Sequence, residues 1–410
     1  MVQEGKMRMS LIVQKFGGSS VADVERVYNV ADIVTKTYAA GNDVVVVLSA
    51  QGKTTDQLLA KAAEVNPNAS KREQDMLLAC GEQMSVALMA MAIEKLGYPV
   101  ISLNAWQMGM QTDTTYGAAR IERVEAQRVL EELEKRRIVL ITGFQGVNRY
   151  EDITTLGRGG SDTTAVALAV ALKADLCQIY TDVDGVFTAD PRIVPDAKML
   201  KEITYDEMLE LASLGAKVLH NRCVEMAKRY HIEMEVLSSF SRKPGTIVRE
   251  VTKVEKLIVS GVTKDINIAR IALVGLENVP GVAYRVFSLL GKEKINIDII
   301  LQSIGRNDTK DITFTVPIGS VQQVLTLLED KKDEIRYDHI DVNREVAKVS
   351  IVGAGIADNA GVAAKMFEAL YERQININMI SSSEIRLSVL IDEKDADLAV
   401  QVIHDKFFRS

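Results

Sequence analysis

Over about the first 248 residues, short runs of β-branched and aliphatic residues alternate with longer stretches of helical periodicity. This alternation is typical of helices packed on both faces of a mainly parallel sheet, and it predicts an α/β fold. Because the valines at Val44–Val47 do not alternate with polar residues, their strand is expected in the middle of the sheet, buried on both faces. The predicted strands are Leu11–Gln14, Val44–Ser49, Val100–Leu103, Ile138–Thr142 and Leu176–Thr181. The predicted helices are Val24–Tyr38, Glu73–Leu96, Ile121–Lys135, Thr163–Leu172 and Tyr205–Tyr230, the last with a break at Gly215.

From about residue 257 the chain carries an internal repeat. When the chain is shifted by 80 residues, 281–300 aligns with 361–380 without a gap, and nine of the twenty pairs are identical. Each copy is predicted to form a strand, a glycine loop, a helix, an Ile-Asn-Ile strand and a further strand, so the repeat indicates two modules of about 75 residues. The outer strands are predicted at Ile271–Leu276, Val349–Ala354, Ile312–Val316 and Ile385–Ile391. The predicted domains are therefore 1–248, 257–340 and 341–410.

The glycines that precede the repeated helices, Gly281 and Gly361, allow two interpretations. Backbone amides at a helix start can bind an anion such as an amino acid carboxylate, and a glycine lets that ligand approach the backbone closely. Alternatively, the glycines only form tight turns between strand and helix, since glycines at helix ends are common. An isolated module supports both interpretations equally.

Composition and charge narrow the class of protein. Of the 410 residues, 47% are hydrophobic, 26% charged and 5% aromatic, which is close to a globular balance. The net charge of -7 and the pI near 5.4 argue against nucleic acid or an anionic membrane as a partner, because both require a positive protein surface. The apolar runs are shorter than the ~20 residues of a membrane span. Cys80, Cys177 and Cys223 lack the spacing of a disulfide framework or a zinc site, so a cytoplasmic protein with reduced, buried thiols is expected.

The first candidate site lies directly after the first predicted strand, at Lys15–Ser20, with the sequence Lys-Phe-Gly-Gly-Ser-Ser. Two adjacent glycines let successive backbone amides turn toward a phosphate, the following helix adds its positive end, and Lys15 adds a full charge. The segment matches neither the Walker A pattern nor GxGxxG. On its own it is equally well explained as a tight turn.

A second glycine-rich segment, Gly157–Thr164, precedes a strongly apolar helix. Ser161 or Asp162 could simply be the N-cap of that helix, but three glycines within four residues exceed what a cap requires. An arginine beside glycines and a helix N-terminus suits a bidentate grip on a small carboxylate, and Arg158 has that position. Asp162 could position a lysine ammonium that contacts a transferring phosphoryl group.

The third segment, Tyr180–Arg192, begins at the C-terminal end of a predicted strand, where ligands of open α/β sheets bind. Its Asp-Gly and Asp-Pro pairs would separately be an ordinary hairpin turn and an ordinary loop dipeptide. In succession, and followed by Arg192, they are rich in groups that bind ribose and polyphosphate. Glu82 and Lys217, taken alone, are better explained as structural helix residues. The histidines show neither catalytic-triad nor metal-ligand spacing.

Together and in this order, these segments resemble the aspartokinase family. Besides the two glycine-rich segments, the resemblance rests on the motifs Ser49-Ala50-Gln51-Gly52 with Thr54-Thr55, Gly81-Glu82, and Phe187–Arg192. The repeat looks like the tandem ACT domains of that family, and the resemblance covers essentially the whole chain. It implies an amino acid kinase fold with a mainly parallel central sheet, followed by two α+β ferredoxin-like ACT regulatory domains.

The resemblance implies that ATP and L-aspartate give ADP and 4-phospho-L-aspartate, the entry step to lysine, threonine and methionine biosynthesis. Lys15, which would stabilise the phosphoryl group, and Asp162, which would organise that lysine, are the implied catalytic residues. Glu82 is expected to bind the substrate's amino group. The implied substrate-binding residues are Ser49, Thr55, Glu82, Arg158, Gly159, Gly160 and Ser161. The implied nucleotide-binding residues are Lys15, Phe16, Gly17, Gly18, Thr181, Asp182, Phe187, Thr188, Ala189, Asp190, Pro191, Arg192 and Lys217.

Phosphoryl transfer to a carboxylate requires neither a general base nor a dedicated metal cage. The nucleophile is already ionised at pH 7, so the lack of a catalytic histidine agrees with the implied reaction. Mg²⁺ is expected to accompany ATP, held by phosphate oxygens and water more than by protein side chains. No metal-ligand motif and no tightly bound prosthetic group are expected.

The tandem ACT domains imply feedback inhibition by lysine, threonine or both, and pairing of the modules into a homo-oligomer. The implied effector-binding residues are Asn278, Gly281, Val282, Asn296, Asp298, Gln302, Asn359, Gly361, Val362, Asn376 and Asn378. Two alternatives remain: another kinase of the same fold, such as acetylglutamate or uridylate kinase, and an amino acid sensor that has lost catalysis. The repeat argues against the first alternative, and the presence of Lys15, Arg158 and Asp162 argues against the second.

Overall fold

The computed structural model describes residues 9–216, 218–251, 258–304 and 309–409. Contacts divide them into two compact units. The N-terminal unit contains the described residues up to Phe187 and from Lys198 to 251. The C-terminal unit contains Thr188–Ala197 and the described residues from 258 onward. A short segment from the middle of the chain is therefore part of the C-terminal unit.

The N-terminal unit alternates strands and helices as the sequence predicts. Its strands are β1 (Leu11–Phe16), β2 (Asp43–Leu48), β3 (Val100–Leu103), β4 (Met110–Thr112), β5 (Ile121–Val124), β6 (Ile138–Thr142), β7 (Gln145–Val147), β8 (Ile153–Thr155), β9 (Leu176–Thr181), β10 (Glu202–Thr204), β11 (Met234–Ser238) and β12 (Thr246–Arg249). Its helices are α1 (Val24–Ala39), α2 (Thr54–Val65), α3 (Lys71–Leu78), α4 (Cys80–Lys95), α5 (Gln127–Glu134), α6 (Gly160–Leu172), α7 (Tyr205–Leu211) and α8 (Asn221–Tyr230). A 3-10 turn covers Gly18–Val21, and a π-helical turn covers Ala212–Ala216.

The large sheet of this unit has the strand order β10-β12-β11-β9-β1-β2-β6-β3. All neighbouring strands are parallel except β11 and β12. Strand β2 lies between β1 and β6, and Val44–Val47 are completely buried, which confirms the prediction of a central strand covered on both faces. Helices α1 and α4 pack on the alternate residues Val44 and Val46, because successive side chains of a strand point to opposite faces. A smaller sheet has the order β5-β4-β7-β8.

Two of the predicted helices were partly wrong. Within the predicted helix Ile121–Lys135, the first residues form the strand β5, which pairs antiparallel with β4, and only Gln127–Glu134 is helical. The apolar residues Ile121 and Val124 fit a helical period as well as an edge strand, so only the neighbouring strand decides the outcome. The helix predicted at Glu73–Leu96 is divided at Ala79 into α3 and α4. The predicted break at Gly215 is confirmed, since its φ is 108°.

The C-terminal unit is built around two four-stranded antiparallel sheets. Its strands are β13 (Gly261–Asp265), β14 (Ile268–Glu277), β15 (Ile300–Ile304), β16 (Thr309–Pro317), β17 (His339–Asn343), β18 (Val346–Val352), β19 (Met379–Ser382) and β20 (Arg386–Asp392). Its helices are α9 (Val282–Lys292), α10 (Val321–Asp330), α11 (Lys332–Ile335), α12 (Val362–Glu372) and α13 (Ala396–Phe408). Short 3-10 turns cover Ile318–Ser320 and Glu393–Asp395.

The strands of the repeat are shared between the two sheets in an order that the sequence does not predict. One sheet has the order β15-β16-β14-β17 and the other β13-β18-β20-β19. Strand β13 lies within the predicted first module, 257–340, but it pairs with β18 of the second copy, with Gly261 opposite Val352. The domain boundaries themselves stay a prediction.

The predicted Ile-Asn-Ile strands are wrong in their extent. The strands begin later, at Ile300 and Met379. The preceding residues Lys294 and Gln374 have φ values of 57° and 56° and end helices α9 and α12. The amide of Ile295 then donates to the carbonyl oxygen of Leu290, and Ile375 bonds to Leu370 in the same way, so the motif serves as a helix ending that buries an isoleucine.

One helical stretch, Lys71–Lys95, is long and apolar enough to resemble a membrane span, with a mean hydropathy of 1.6. Half of its most apolar window is buried inside the protein, and a core helix has the same composition, so the stretch is weak evidence for a span. The three cysteines are free. Cys177 and Cys223 are buried as predicted, whereas Cys80 is exposed.

Candidate active site

The carboxyl ends of the central parallel strands bring two of the glycine-rich segments together. Lys15 is near the end of β1, and Asp162 is in the first turn of α6. The ammonium nitrogen of Lys15 lies 2.6 Å from a carboxylate oxygen of Asp162, and the two side chains are 12% and 13% exposed. Such a close, mostly buried ion pair fixes the lysine in one position. The predicted partnership of Lys15 and Asp162 is therefore present as a direct contact.

In the turn that follows Lys15, the position of Gly18 is packed too tightly for a side chain. A Cβ atom on Gly18 would lie 2.6 Å from the carbonyl oxygen of Ala50. The amide of Gly52 donates to the carbonyl oxygen of Gly18 at 2.9 Å, which ties this turn to the loop after β2. Ser20 is completely buried, and its hydroxyl lies 2.8 Å from that of Ser239. Gly18 thus allows a close approach of two loops, and the contacts of this turn hold the residues next to Lys15 in place.

The entrance to α6 is capped by backbone conformation and not by a side chain. The N-cap is Gly159, with φ 70°, and no side-chain cap hydrogen bond is formed. Ser161 and Asp162 lie within the first helical turn, so neither of them is the N-cap, and that alternative is wrong. Ser161 is 8% exposed, whereas Arg158 is exposed. Within the described ranges, no hydrogen bond or ion pair is found for the Arg158 guanidinium, which leaves its donors available to a ligand.

Glu82 is a buried carboxyl group beside the loop after β2. It is 3% exposed, and its Oε1 accepts a hydrogen bond of 3.0 Å from the amide of Ala50. The side chain of Gln145 approaches its Oε2 at 3.5 Å. Burial raises the pKa of Glu82 to about 7, and the hydrogen bond from Ala50 opposes that shift. A buried carboxyl group that can ionise near neutral pH is suited to pairing with a cationic group of a ligand.

Ser49 and Thr55 also belong to this end of the sheet. The amide of Ser49 donates to the carbonyl oxygen of Phe16 at 3.2 Å, and Thr55 is half-buried in the first turn of α2. On the other side of β1, the hydroxyl of Thr181 donates to the carboxylate of Asp182 at 3.0 Å. The ring of Phe16 stacks on Tyr180 with centroids 4.4 Å apart, which holds β1 and β9 in register at their ends.

The remaining predicted nucleotide-binding residues are divided between the units. Phe187 is the last residue of the N-terminal unit before the chain leaves it. Thr188 and Ala189 are buried in the C-terminal unit, at 2% and 4% exposure. Asp190 accepts hydrogen bonds from the backbone and side chain of Arg192, whose guanidinium lowers the pKa of that carboxyl group. Pro191 is exposed. Lys217 lies outside the described residues.

Several residues of this region were missed by sequence reasoning. Gly143, directly after β6, packs against the side chain of Ser161, and its signal was the same strand-then-glycine pattern as at Gly17. His220 is the N-cap of α8 and lies so close to Gly159 that a Cβ there would be 2.4 Å from its ring. Ser239 and His220 are far from their partners in sequence, so nothing local could have identified them.

Among the predicted effector-binding residues, Gly281 and Val282 lie at the entrance of α9, and Gly361 and Val362 lie at the entrance of α12. Gly281 and Gly361 are the N-caps of these helices, with nearly identical φ values of 92° and 93°. Asp298 forms an ion pair with Lys348, a lysine of the second copy that is 3% exposed. Val282 and Val362 are buried, at 2% and 7% exposure. Asn378 is half-buried, and the exposed predicted residues are Asn278, Gly281, Asn296, Asp298, Gln302, Asn359, Gly361 and Asn376.

Metal ligation by the protein alone has no obvious location. Among residues 9–216, 218–251, 258–304 and 309–409, no group of three or more His, Cys, Asp or Glu side chains could hold a metal ion. The Lys15–Asp162 pair, the two glycine-rich helix entrances and the exposed Arg158 are chemically suited to binding anions.

Comparison with known sequence families agrees with this geometry. The pattern of the amino acid kinase family matches residues 10–238, and the pattern of the ACT domain matches 271–331 and 349–407. Fold and site therefore define a kinase of the amino acid kinase class with a C-terminal pair of ACT domains, as predicted.

Individual relatives specify the family further. The chain is 48% identical over 400 residues to the aspartokinase of Bacillus sp. (strain MGA3), with 97% of each chain covered. It is also similar to the crystal structure of E. coli aspartokinase III in complex with aspartate and ADP (R-state), with a TM-score of 0.82, 28% identity, and coverage of 97% of this chain and 100% of that one. The same enzyme in complex with lysine and aspartate (T-state) gives a TM-score of 0.77 at 28% identity, covering 97% and 99%. The chain belongs to the aspartokinase family.

Proposed function

We propose that the N-terminal unit transfers the γ-phosphoryl group of ATP to the side-chain carboxylate of L-aspartate, giving ADP and 4-phospho-L-aspartate. The observation that carries this proposal is the 2.6 Å pair of Lys15 and Asp162 between the two glycine-rich helix entrances. Family membership supports the same reaction, since a relative with 48% identity is an aspartokinase. The product is the activated acid from which lysine, threonine and methionine synthesis begins.

In this proposal each charged group has a separate task. Lys15 neutralises charge on the phosphoryl group during transfer, and Asp162 holds its ammonium in line. Arg158 and Ser161 bind carboxylate oxygens of the substrate, and Glu82 binds its ammonium group. The substrate carboxylate attacks phosphorus directly, because it is ionised at neutral pH without a base.

The nucleotide is proposed to arrive with Mg²⁺. The backbone amides near Gly17 and Gly18 are suited to phosphate oxygens, because they lie where a strand ends and a helical turn begins. The ion would be held by phosphate oxygens and water more than by protein side chains.

The C-terminal unit is proposed to bind an end-product amino acid, lysine, threonine or both. Support comes from the two exposed helix entrances at Gly281 and Gly361, whose amides can receive a carboxylate. The E. coli neighbour in its T-state was solved with lysine and aspartate. We further propose that the ACT domains pair in a homo-oligomer and that the protein is cytoplasmic.

The reaction is tested by trapping the acyl phosphate. Purified protein with Mg-ATP and hydroxylamine should form a hydroxamate only when L-aspartate is present, together with one ADP per hydroxamate. N-acetylglutamate and UMP are the matched control acceptors, because kinases of the same fold act on them. The three acceptors are compared by the rate of ADP release. A rate with aspartate that is no higher than with either control would contradict the proposal.

A further inference from the structure

The segment Thr188–Ala197 belongs to the C-terminal unit, although it contains most of the third motif assigned to the nucleotide. Its two ends meet in the N-terminal unit, where Phe187 and Met199 form an isolated antiparallel bridge. Beside that bridge, the amide of Leu200 donates to the carbonyl oxygen of Val186 at 2.8 Å. The chain thus leaves one unit, enters the core of the other and returns to the same point.

Apolar side chains bury the segment in the C-terminal core. Ala189 and Val194 are 4% and 3% exposed and belong to the cluster that α12, α13, β18 and β20 enclose. Ile193 and Ala197 pack against the same cluster. Apolar burial holds the segment in the core but does not determine its orientation, because hydrophobic contacts are not directional.

Polar contacts determine the orientation of the segment. The amide of Val262, in β13, donates to the carbonyl oxygen of Thr188 at 2.8 Å. The side chain of Gln401, in α13, donates to the carbonyl oxygen of Ile193 at 2.9 Å. Asp196 and Arg409 form an ion pair at the end of the segment.

The most buried of these contacts joins Thr188 to His404. The hydroxyl of Thr188 lies 2.9 Å from Nε2 of His404, and the two residues are 2% and 1% exposed. The ring of His404 also stacks on Phe408, with centroids 4.6 Å apart. A buried polar pair is destabilising unless its hydrogen bond is made, so this contact permits one geometry of the segment where apolar packing would permit several.

We propose that His404 is a positioning residue for nucleotide binding: its hydrogen bond with Thr188 fixes the segment Thr188–Ala197 and, through the covalent link to Phe187, the nucleotide-binding motif. This inference rests on the proposed function, because it assumes that the third motif binds ATP.

The test compares variants that remove the hydrogen bond with variants that keep it. His404→Phe preserves the ring stacked on Phe408, and Thr188→Val preserves the volume of the threonine. Each should raise the KM for ATP about fivefold, the scale of one hydrogen bond, while the KM for aspartate stays constant. His404→Gln and Thr188→Ser keep a hydrogen-bonding group, so their KM for ATP should stay close to that of the wild-type protein. The double variant His404→Phe/Thr188→Val should resemble either single variant, because both remove the same contact.

Two further measurements separate positioning from loss of fold. Amide hydrogen exchange of 188–197 should accelerate in His404→Phe, with the strands of the N-terminal sheet unchanged. If that variant does not fold, the exposed Gln401→Ala takes its place. Lys406→Gln on the same helix is the control, because the ion pairs of Lys406 within the described part of the chain are with Glu368 and Glu372 of α12 and not with the segment 188–197.

An unchanged KM for ATP in the folded variant, or an equal rise in the KM values of ATP and aspartate, would overturn the inference. Failure of the proposed function has a different signature. In that case wild-type protein gives no hydroxamate with aspartate. Calorimetric binding of the non-hydrolysable analogue AMP-PNP still compares the variants, since it needs no turnover.

Discussion

Three helices of this protein begin in the same way, but they serve two different kinds of site. Gly159 before α6, Gly281 before α9 and Gly361 before α12 are all left-handed N-caps, with φ values of 70°, 92° and 93° and no side-chain cap. Around Gly159 the protein is closed, because a Cβ there would be 2.4 Å from the ring of His220. Around Gly281 and Gly361, a Cβ would meet no described atom within 4 Å.

The difference between these entrances follows from what packs beside them. The α6 entrance has a mostly buried lysine–aspartate pair and a buried serine, which fix charge in advance, as transfer of a phosphoryl group requires. The α9 and α12 entrances are exposed and can admit a ligand without rearranging a core. The same left-handed glycine N-cap is therefore suited to catalysis where it is enclosed and to reversible binding where it is exposed.

The largest expected effect concerns the enclosed entrance. Lys15→Met keeps the length of the side chain but removes its charge, so we expect kcat to fall by about 10² to 10³, with a smaller change in the KM for ATP. Steady-state kinetics with saturating aspartate measures the change. Lys15→Met/Asp162→Asn is the matched double variant. It should be no slower than Lys15→Met, because Asp162 is proposed to act through the lysine, and a much slower double variant would assign Asp162 an independent role.

An intermediate effect concerns Glu82 and pH. Its pKa is raised to about 7 by burial, so in the protein without ligand the carboxyl group is neutral below that pH and charged above it. Binding the ammonium group of aspartate requires the charged form, and the KM for aspartate should therefore rise about tenfold from pH 8 to pH 6. The substrate's own groups do not titrate in this range. In Glu82→Gln the KM should be high at both pH values, and a variant with the wild-type pH dependence would exclude Glu82 as the cause.

The smallest expected effect concerns the open entrances. Gly281→Ala and Gly361→Ala add a methyl group without a clash but oppose the positive φ, so each should lower the free energy of unfolding by about 1 kcal/mol. Titration of turnover with lysine, threonine and their mixture should show a higher half-inhibitory concentration in the variant whose entrance binds the effector. If neither substitution alters inhibition while thermal unfolding detects both, the effector binds elsewhere.

Much of the N-terminal unit was predictable because its signals are local. The β-branched run at Val44–Val47 specifies a strand buried on both faces wherever it is placed, and it is the central strand β2. The glycine-rich segments after β1 and before α6 were predictable for the same reason. Parallel strands direct their carboxyl ends to one edge, so Lys15 and Asp162 could be expected to meet there.

Other features depend on partners that are distant in sequence. Residues 121–124 have a pattern that suits a helix, and only pairing with β4 makes them a strand. Nothing near Ser20 indicates Ser239, 219 residues away, as its hydrogen-bonding partner. The Thr188–His404 contact spans 216 residues and places a kinase motif in the core of the C-terminal unit.

The sequence by itself determined the class of fold, the repeat and the residue types that the proposed chemistry uses, because periodicity, glycine conformation and side-chain charge are properties of short segments. Tertiary structure alone decided which glycine entrance is enclosed, which sheet strand β13 joins, and that Thr188 faces His404. The physical reason is that burial and hydrogen-bond pairing are settled between elements. Three entrances with the same local conformation can therefore differ in function.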